Sequence, residues 1–186
     1  MPFSSVDELI EALCSLADQT SDDVVAAQPH LLQTGELLVR AYAKDRELIA
    51  AGLVHDIASA LGIRSGDHAQ LGAELVTPLL GERVGAVVAG HTDAKRYLVT
   101  VDHSYQEVLS PNSTLTLSAQ GGAMTRREVA AFKERREWRA MVALRRADDA
   151  AKVPNTEVRP VMAWRDLLVK VASQASTHDE RLHHCR

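Results

Sequence analysis

Glu47-Leu-Ile-Ala-Ala-Gly-Leu-Val-His55-Asp56-Ile-Ala-Ser59-Ala-Leu61 decides the fold. The stretch is apolar almost all round, so it reads as a helix buried at the centre of a bundle rather than one with a wet face. A His-Asp doublet lies inside it. A carboxylate in such surroundings is costly unless it is paired or holds a metal. Adjacent residues on a helix point about 100° apart, so both side chains can reach a metal cluster only if it lies close against this helix. There the carboxylate, with two oxygens, can bridge two ions while the imidazole binds one.

Helical signals continue on both sides. Ser5-Val-Asp-Glu8 is a capping box, followed by Leu9, Ile10, Leu13 and Leu16, and predicts a helix over 5–18. Residues 20–28 read as a polar turn. Pro29 suits the first turn of a second helix carrying Leu31, Gly35, Leu38 and Tyr42 on one face. Asp45 caps the central helix over 47–61, and Gly62 ends it. Asp67-His-Ala-Gln70 opens a helix to 80, and a short one follows over 82–91. Residues 93–118 read as less regular, with Pro111 and Asn112 marking a loop and Gln120-Gly-Gly a further break. Thr125-Arg-Arg-Glu128 is a third capping box, for a helix to 134. Helices over 137–152, closed by Pro154, and over 158–175 complete the chain, with 176–186 a polar, fraying tail. No sheet, repeat or linker is apparent, so the expectation is one all-helical domain over 1–186.

Composition agrees with that class. Aromatic residues are only 4% of the chain, and Ala and Leu dominate the apolar set, which favours helices over sheets. The net charge of −4 gives no electrostatic footprint for nucleic acid or a membrane surface. Cys14 and Cys185 lack metal-ligand spacing and form no disulfide framework. The first residues carry Asp7, Glu8 and Glu11 without a basic run, unlike a signal peptide. No apolar run approaches the roughly 18–20 residues that a membrane span needs. A reducing, cytoplasmic location is expected.

Other groups with metal-binding chemistry lie on separate segments: His30, His68, His91 and Asp148. Taken singly, a buried histidine is more often a hydrogen-bonded core residue than a ligand. Taken with the doublet, they make four imidazoles and two carboxylates able to meet in one bundle core. That nitrogen–oxygen set suits iron, manganese or zinc better than magnesium or calcium.

At these residues the chain resembles the HD-domain superfamily, whose pattern is His … His-Asp … Asp. His68 and His91 resemble its two-metal branch. More narrowly, the chain is similar to the mixed-valent di-iron oxygenases of that fold, the organophosphonate oxygenases, with myo-inositol oxygenase a more distant relative. The resemblance rests on His30-Leu-Leu-Gln-Thr-Gly, the central stretch, His68-Ala-Gln-Leu-Gly-Ala-Glu, His91-Thr-Asp-Ala-Lys-Arg-Tyr-Leu, Leu109-Ser-Pro, Leu117-Ser-Ala-Gln-Gly-Gly-Ala-Met and Leu144-Arg-Arg-Ala-Asp-Asp-Ala-Ala-Lys-Val-Pro. It covers about residues 28–170. The doublet is common in the superfamily; the His91 and Gln120-Gly-Gly stretches are more specific to the phosphonate branch.

The resemblance implies a helical bundle with a buried di-metal site. His30, His55, Asp56 and Asp148 would hold one ion, Asp56 would be shared, and His68 and His91 would hold the other. Asp149 rivals Asp148, which is preferred because the family places a lysine four residues after its ligand, matching Lys152. Asp56, His68 and His91 would carry the chemistry, and Lys95, Ser113 and Arg145 would contact a substrate anion. Read from composition alone, Lys95 and Arg145 belong to a solvated helix face. Irons at +2 and +3, two carboxylates and a bridging hydroxide leave a formal charge of about +2, which favours a phosphonate or another doubly charged anion.

The chain departs from the family in places. Family members often read His-Asp-x-Gly-His, where this chain has Ser59 in place of the second, substrate-positioning histidine. Thr20 and Asp23 stand where the phosphonate oxygenases carry a Tyr and a Glu. Three activities fit the residues: oxidative cleavage of the C–P bond of a small 1-hydroxyphosphonate by two iron ions and dioxygen; hydrolysis of a small phosphate ester with manganese, zinc or magnesium; and a binding module with a vestigial metal site. Six intact ligand positions argue against the last.

Overall fold

The computed structural model of the chain describes residues 1–17, 25–62 and 67–183, apart from side chains beyond 177. All regular structure among them is helical. The helices are α1 (Val6–Ser15), α2 (Ala27–Tyr42), α3 (Arg46–Val54), α4 (Ile57–Ala60), α5 (His68–Leu80), α6 (Glu82–Val101), α7 (Pro111–Ala119), α8 (Arg126–Glu134), α9 (Trp138–Ala150) and α10 (Arg165–His183). Single 3-10 turns lie at Tyr105–Val108 and Val161–Trp164.

Caps fix most of the starts. Ser5, Asp45 and Asp67 each accept a hydrogen bond from the backbone N–H three residues on. Thr125 and Glu128 form the full reciprocal box. At the centre of the bundle, every residue of α3 from Leu48 to Val54 is buried. Helices α2, α6 and α9 pack around it, α5 lies against α6, and α10 covers α3 and α5. Val84, Val87, Val88, His91, Ala94, Lys95, Leu98 and Val99 form one buried stripe along α6.

Four expectations need correction. The central helix does not run unbroken over 47–61: it stops at Val54, turns at His55-Asp56, and resumes as α4. Asp56 sits at φ −107° and ψ 18°, the bridge region where many active-site residues are found. The break re-aims the carboxylate away from the helical direction. The short helix expected to end near His91 instead runs to Val101, because His91 and Lys95 stand in the buried stripe where apolar residues would normally signal it. Residues 93–118 are therefore mostly helical, and Pro111 opens α7 rather than breaking a helix, with Ser110 as its cap. The helix expected over 158–175 starts at Arg165 after a 3-10 turn and continues to His183, through most of the tail expected to fray. The side chains of the tail histidines, His178, His183 and His184, lie outside the described residues.

Close helix contact explains two glycines. A Cβ on Gly52 would come within 2.5 Å of Leu38 Cδ1 and 3.3 Å of Thr34 Cγ2, and one on Gly35 within 2.6 Å of Leu53 Cδ2. The crossing of α2 and α3 thus depends on absent side chains. Gly52→Val should lower stability by about 1–3 kcal/mol through overpacking, read as a lower urea midpoint at unchanged slope.

Candidate metal centre

Six sequence-predicted ligand positions converge from five helical segments. His30 lies in the first turn of α2, His55 and Asp56 at the break after α3, His68 at the start of α5, His91 midway along α6, and Asp148 in the last turn of α9. They form two groups. In the first, His30 Nε2 is 3.3 Å from His55 Nε2 and 3.2 Å from Asp148 Oδ1. His55 Nε2 is 3.7 Å from that oxygen and 3.6 Å from Asp56 Oδ2. In the second, His68 Nε2 and His91 Nε2 are 3.4 Å apart. They lie 3.4 and 3.5 Å from Asp56 Oδ1. Asp56 thus faces one group with each oxygen.

These residues fit a pair of metal ions. Imidazole Nδ1 of His55 bonds the Gly52 carbonyl at 2.9 Å, that of His91 the Val88 carbonyl at 2.7 Å, and that of His30 the Ala151 carbonyl at 3.0 Å. A carbonyl only accepts, so each Nδ1 carries a proton and each ring turns its Nε2 inward. A proton or a metal cation between facing Nε2 atoms would hold them together. First-row ions with bonds of about 2.0–2.1 Å have donor–donor edges of about 3.0–3.4 Å, close to the spacings observed. Asp56 Oδ1 is buried and has no hydrogen-bond donor, as expected of an oxygen kept for a metal. The family and the donor set together make this a metal-binding protein.

Protein electrostatics point the same way. Burial disfavours charge on His55, yet Asp56 and Asp148 draw its imidazole up to about 9. Burial would raise the Asp148 carboxyl, but Arg145, His30 and His55 hold it well below the usual carboxylate range. Asp56 is likewise held low, against burial, by His55 and His91. The cluster keeps its carboxylates ionised and attracts positive charge.

A cavity of about 370 Å3 opens onto the centre. Asp56, His68 and His91 line it, as do Lys95, Ser113 and Arg145, expected to contact a substrate anion, and Ser59, which stands in the family's substrate-positioning place. Lys95 is only 2% exposed, and its ammonium donates to the Ser113 carbonyl at 3.1 Å and to Thr116 Oγ1 at 2.9 Å. Burial, and then the neighbouring Arg145, lower its pKa to about 8. Arg145 Nη1 reaches Asp148 Oδ2 at 2.8 Å and its Nη2 donates to Ser113 Oγ at 3.1 Å. Neither cation belongs to the solvated face that composition suggested. Asp149 faces Arg145 and Tyr105 rather than the imidazoles. Ser59 is exposed on the cavity wall; Thr20 and Asp23 lie outside the described residues.

Some cavity residues were not picked out as contacts from the sequence. Lys152, noted there only as a marker for Asp148, lies with its ammonium 3.2 Å from Ser110 Oγ and 3.4 Å from Ser113 Oγ. Thr116, Asn112 and Gln120 also line the cavity. Their signal was the stripe 113, 116 and 120 along a helix, hidden while that segment read as a loop.

The chain belongs to the HD domain family, whose model matches residues 29–140. Among characterised proteins it is similar to the hydroxymethylphosphonate dioxygenase of Gimesia maris, at 32% identity over 84% of this chain and 83% of the relative. It is also similar to the glycine-betaine-forming [1-hydroxy-2-(trimethylamino)ethyl]phosphonate dioxygenase of Leisingera caerulea, at 29% identity over 80% of this chain and 83% of the relative.

Lys95 generates a pH prediction. Its ammonium is charged below about 8 and neutral above, so anion affinity should fall as pH rises through that value. Titration of the metal-free protein with inorganic phosphate at a series of pH values should show the loss, and Lys95→Gln should weaken binding below pH 8 and flatten the dependence.

Proposed function

We propose that the chain is a di-iron oxygenase that cleaves the C–P bond of a small 1-hydroxyphosphonate, giving phosphate and a carboxylate. The observation that carries the reading is the doubled donor cluster sharing Asp56, set against a basic cavity wall, in a chain that resembles two phosphonate dioxygenases along most of its length. His30, His55, Asp56 and Asp148 would hold one iron and Asp56, His68 and His91 the other. When bound, the metal pair supplies redox capacity, Lewis acidity and a template that brings dioxygen beside the substrate.

The protein's own groups do the rest. Lys95, Arg145 and the Ser113 hydroxyl hold the phosphonate oxygens, with charge-assisted hydrogen bonds where the donor is cationic. Lys152, beside Ser110 and Ser113, adds positive charge at the same place. Holding the anion there directs the carbinol carbon toward Asp56, His68 and His91, the ligand positions that share the cavity wall with it. Burial of Lys95 and Arg145 reduces competition from water for the anion. In the overall change the carbinol carbon gives four electrons to one dioxygen. The C–P bond breaks, and relative to the substrate one oxygen is added on carbon and one on phosphorus.

The test is phosphate release from hydroxymethylphosphonate by iron-loaded protein with and without dioxygen. Release should require dioxygen and be matched by formate. Equal release under anaerobic conditions would overturn the oxygenase reading in favour of hydrolysis. Asp56→Ala should lose iron and lower activity more than about a hundredfold, because both ions lose a shared ligand. Retention of both irons by that variant, measured by metal analysis, would refute the assignment of Asp56 as the bridge.

A further inference from the structure

The Asp148-Asp149 pair places two adjacent carboxylates beside one guanidinium, and only the first turns to the imidazole cluster. Asp149 Oδ2 accepts from Arg145 Nε at 3.0 Å, and its Oδ1 accepts from Arg145 Nη2. The Tyr105 hydroxyl donates to Asp149 Oδ2 and accepts from Arg145 Nε at 3.0 Å. Tyr105 is itself buried, in a small apolar cluster with Leu98 and Val99. Four groups thus surround one planar cation: Asp149 on its Nε and Nη2 side, Tyr105 on Nε, Asp148 on Nη1 and Ser113 on Nη2.

A guanidinium has five N–H donors in a fixed plane. The Nε hydrogen goes to Asp149 and Tyr105 and the two Nη2 hydrogens to Asp149 and Ser113, while Nη1 is paired with Asp148 Oδ2 by charge at 2.8 Å. Nη1 is therefore the nitrogen with donor capacity left for a ligand. An arginine bound on so many sides cannot swing between rotamers, so its remaining donor and its hold on Ser113 are fixed before substrate arrives. The sequence places Tyr105 upstream of Ser110 and Ser113, so the hydroxyl also ties the segment bearing those serines onto α9.

We propose that Tyr105 and Asp149 are positioning residues that lock Arg145 between the metal ligand Asp148 and the anion-contacting Ser113, so that the anion subsite is preorganised by a buried Tyr–Asp–Arg triad. The proposal rests on the di-metal phosphonate reading for the identity of the anion. The triad itself stands on its own contacts. Neither residue touches substrate: each acts through Arg145. The unbound protein has already ordered the guanidinium, so anion binding is spared that conformational cost. Loss of the triad should therefore appear first in anion affinity.

Tyr105→Phe keeps the ring and removes the hydroxyl; Asp149→Asn keeps the shape and removes the charge. Iron-loaded variants would be titrated with inorganic phosphate by calorimetry, alongside metal analysis, thermal unfolding and steady-state kinetics on hydroxymethylphosphonate. The expected result is a loss of phosphate affinity of about tenfold in each variant, with iron content unchanged. KM should rise more than kcat falls. The double variant should be little worse than the poorer single one, because both act through the same guanidinium. Unchanged phosphate affinity in Tyr105→Phe would overturn the proposal. Loss of iron from Asp149→Asn would also overturn it, since Asp149 would then be acting as a ligand. Phosphate affinity is measured without turnover, so this outcome is separable from failure of the oxygenase reading, which would show as oxygen-independent or absent phosphate release by the parent protein.

Discussion

Six side chains turned toward two points, with one carboxylate shared between them, form the constraint on which the rest of the structure depends. Such an arrangement opposes folding on its own. Polar and ionisable groups are drawn together out of water, at a cost in desolvation and in repulsion between the Asp56 and Asp148 carboxylates. The protein meets this at the turn that directly follows the fully buried run of α3. Apolar packing on every side of α3 provides the stabilisation, and the turn at Asp56 provides the direction. A cation at each point would convert the repulsion into the strongest set of contacts in the molecule, coupling metal binding to the stability of the fold.

The frame around the donors is stiff for a simple reason. His55 and His91 each anchor Nδ1 on a carbonyl three residues back in their own chain, so their helices set the ring orientation. His30 anchors instead on Ala151, just past the end of α9, linking the start of α2 to the helix that carries Asp148. The same imidazole-to-carbonyl bond leaves α6 intact at His91 but accompanies a helix break at His55. The bond alone therefore does not cause the break; the departure of the Asp56 backbone from helical geometry does. That residue leaves the helix and faces one donor group with each of its oxygens.

The fold class was legible from the Ala- and Leu-rich helical pattern and from the capping signals at Ser5, Asp45, Asp67 and Thr125. The doublet was legible because a His-Asp pair inside an apolar helix has few inexpensive explanations. His30, His68 and His91 were not legible as partners from spacing, since their meeting is a property of tertiary packing; family resemblance brought them together. Periodicity failed along α6 and α7 for a related reason. A buried stripe containing His91 and Lys95 does not look apolar, and Pro111 carries opposite meanings as a breaker and as a first-turn residue. In both helices the polar residues that obscured the pattern are those that line the cavity. Asp149 shows the same limit from another side. Adjacent aspartates on a helix are nearly equivalent in sequence, and only the placement of Arg145 and Tyr105 separates their surroundings.

In the proposed reading different parts of the molecule would carry the metal and the anion, a separation that would let one frame serve different substrates. The donor atoms are fixed by α2, the α3–α4 turn, α5, α6 and α9. The basic side of the cavity is built chiefly from Lys95, the start of α7, Arg145 and Lys152, and as an anion wall it would recognise charge and oxygen geometry without reference to what else the substrate carries. Another part of the lining, Val25, Ala27, Leu31, Ser59 and Ala60, is small or apolar and comes from α2, α4 and the residues before α2. None of these side chains belongs to the donor cluster, so they can vary without disturbing it. Ser59 lies in this part of the wall, one helical turn beyond His55. There a change from the family's histidine alters the space and hydrogen bonding offered to the organic group, while the metal ligands and the basic wall stay as they are.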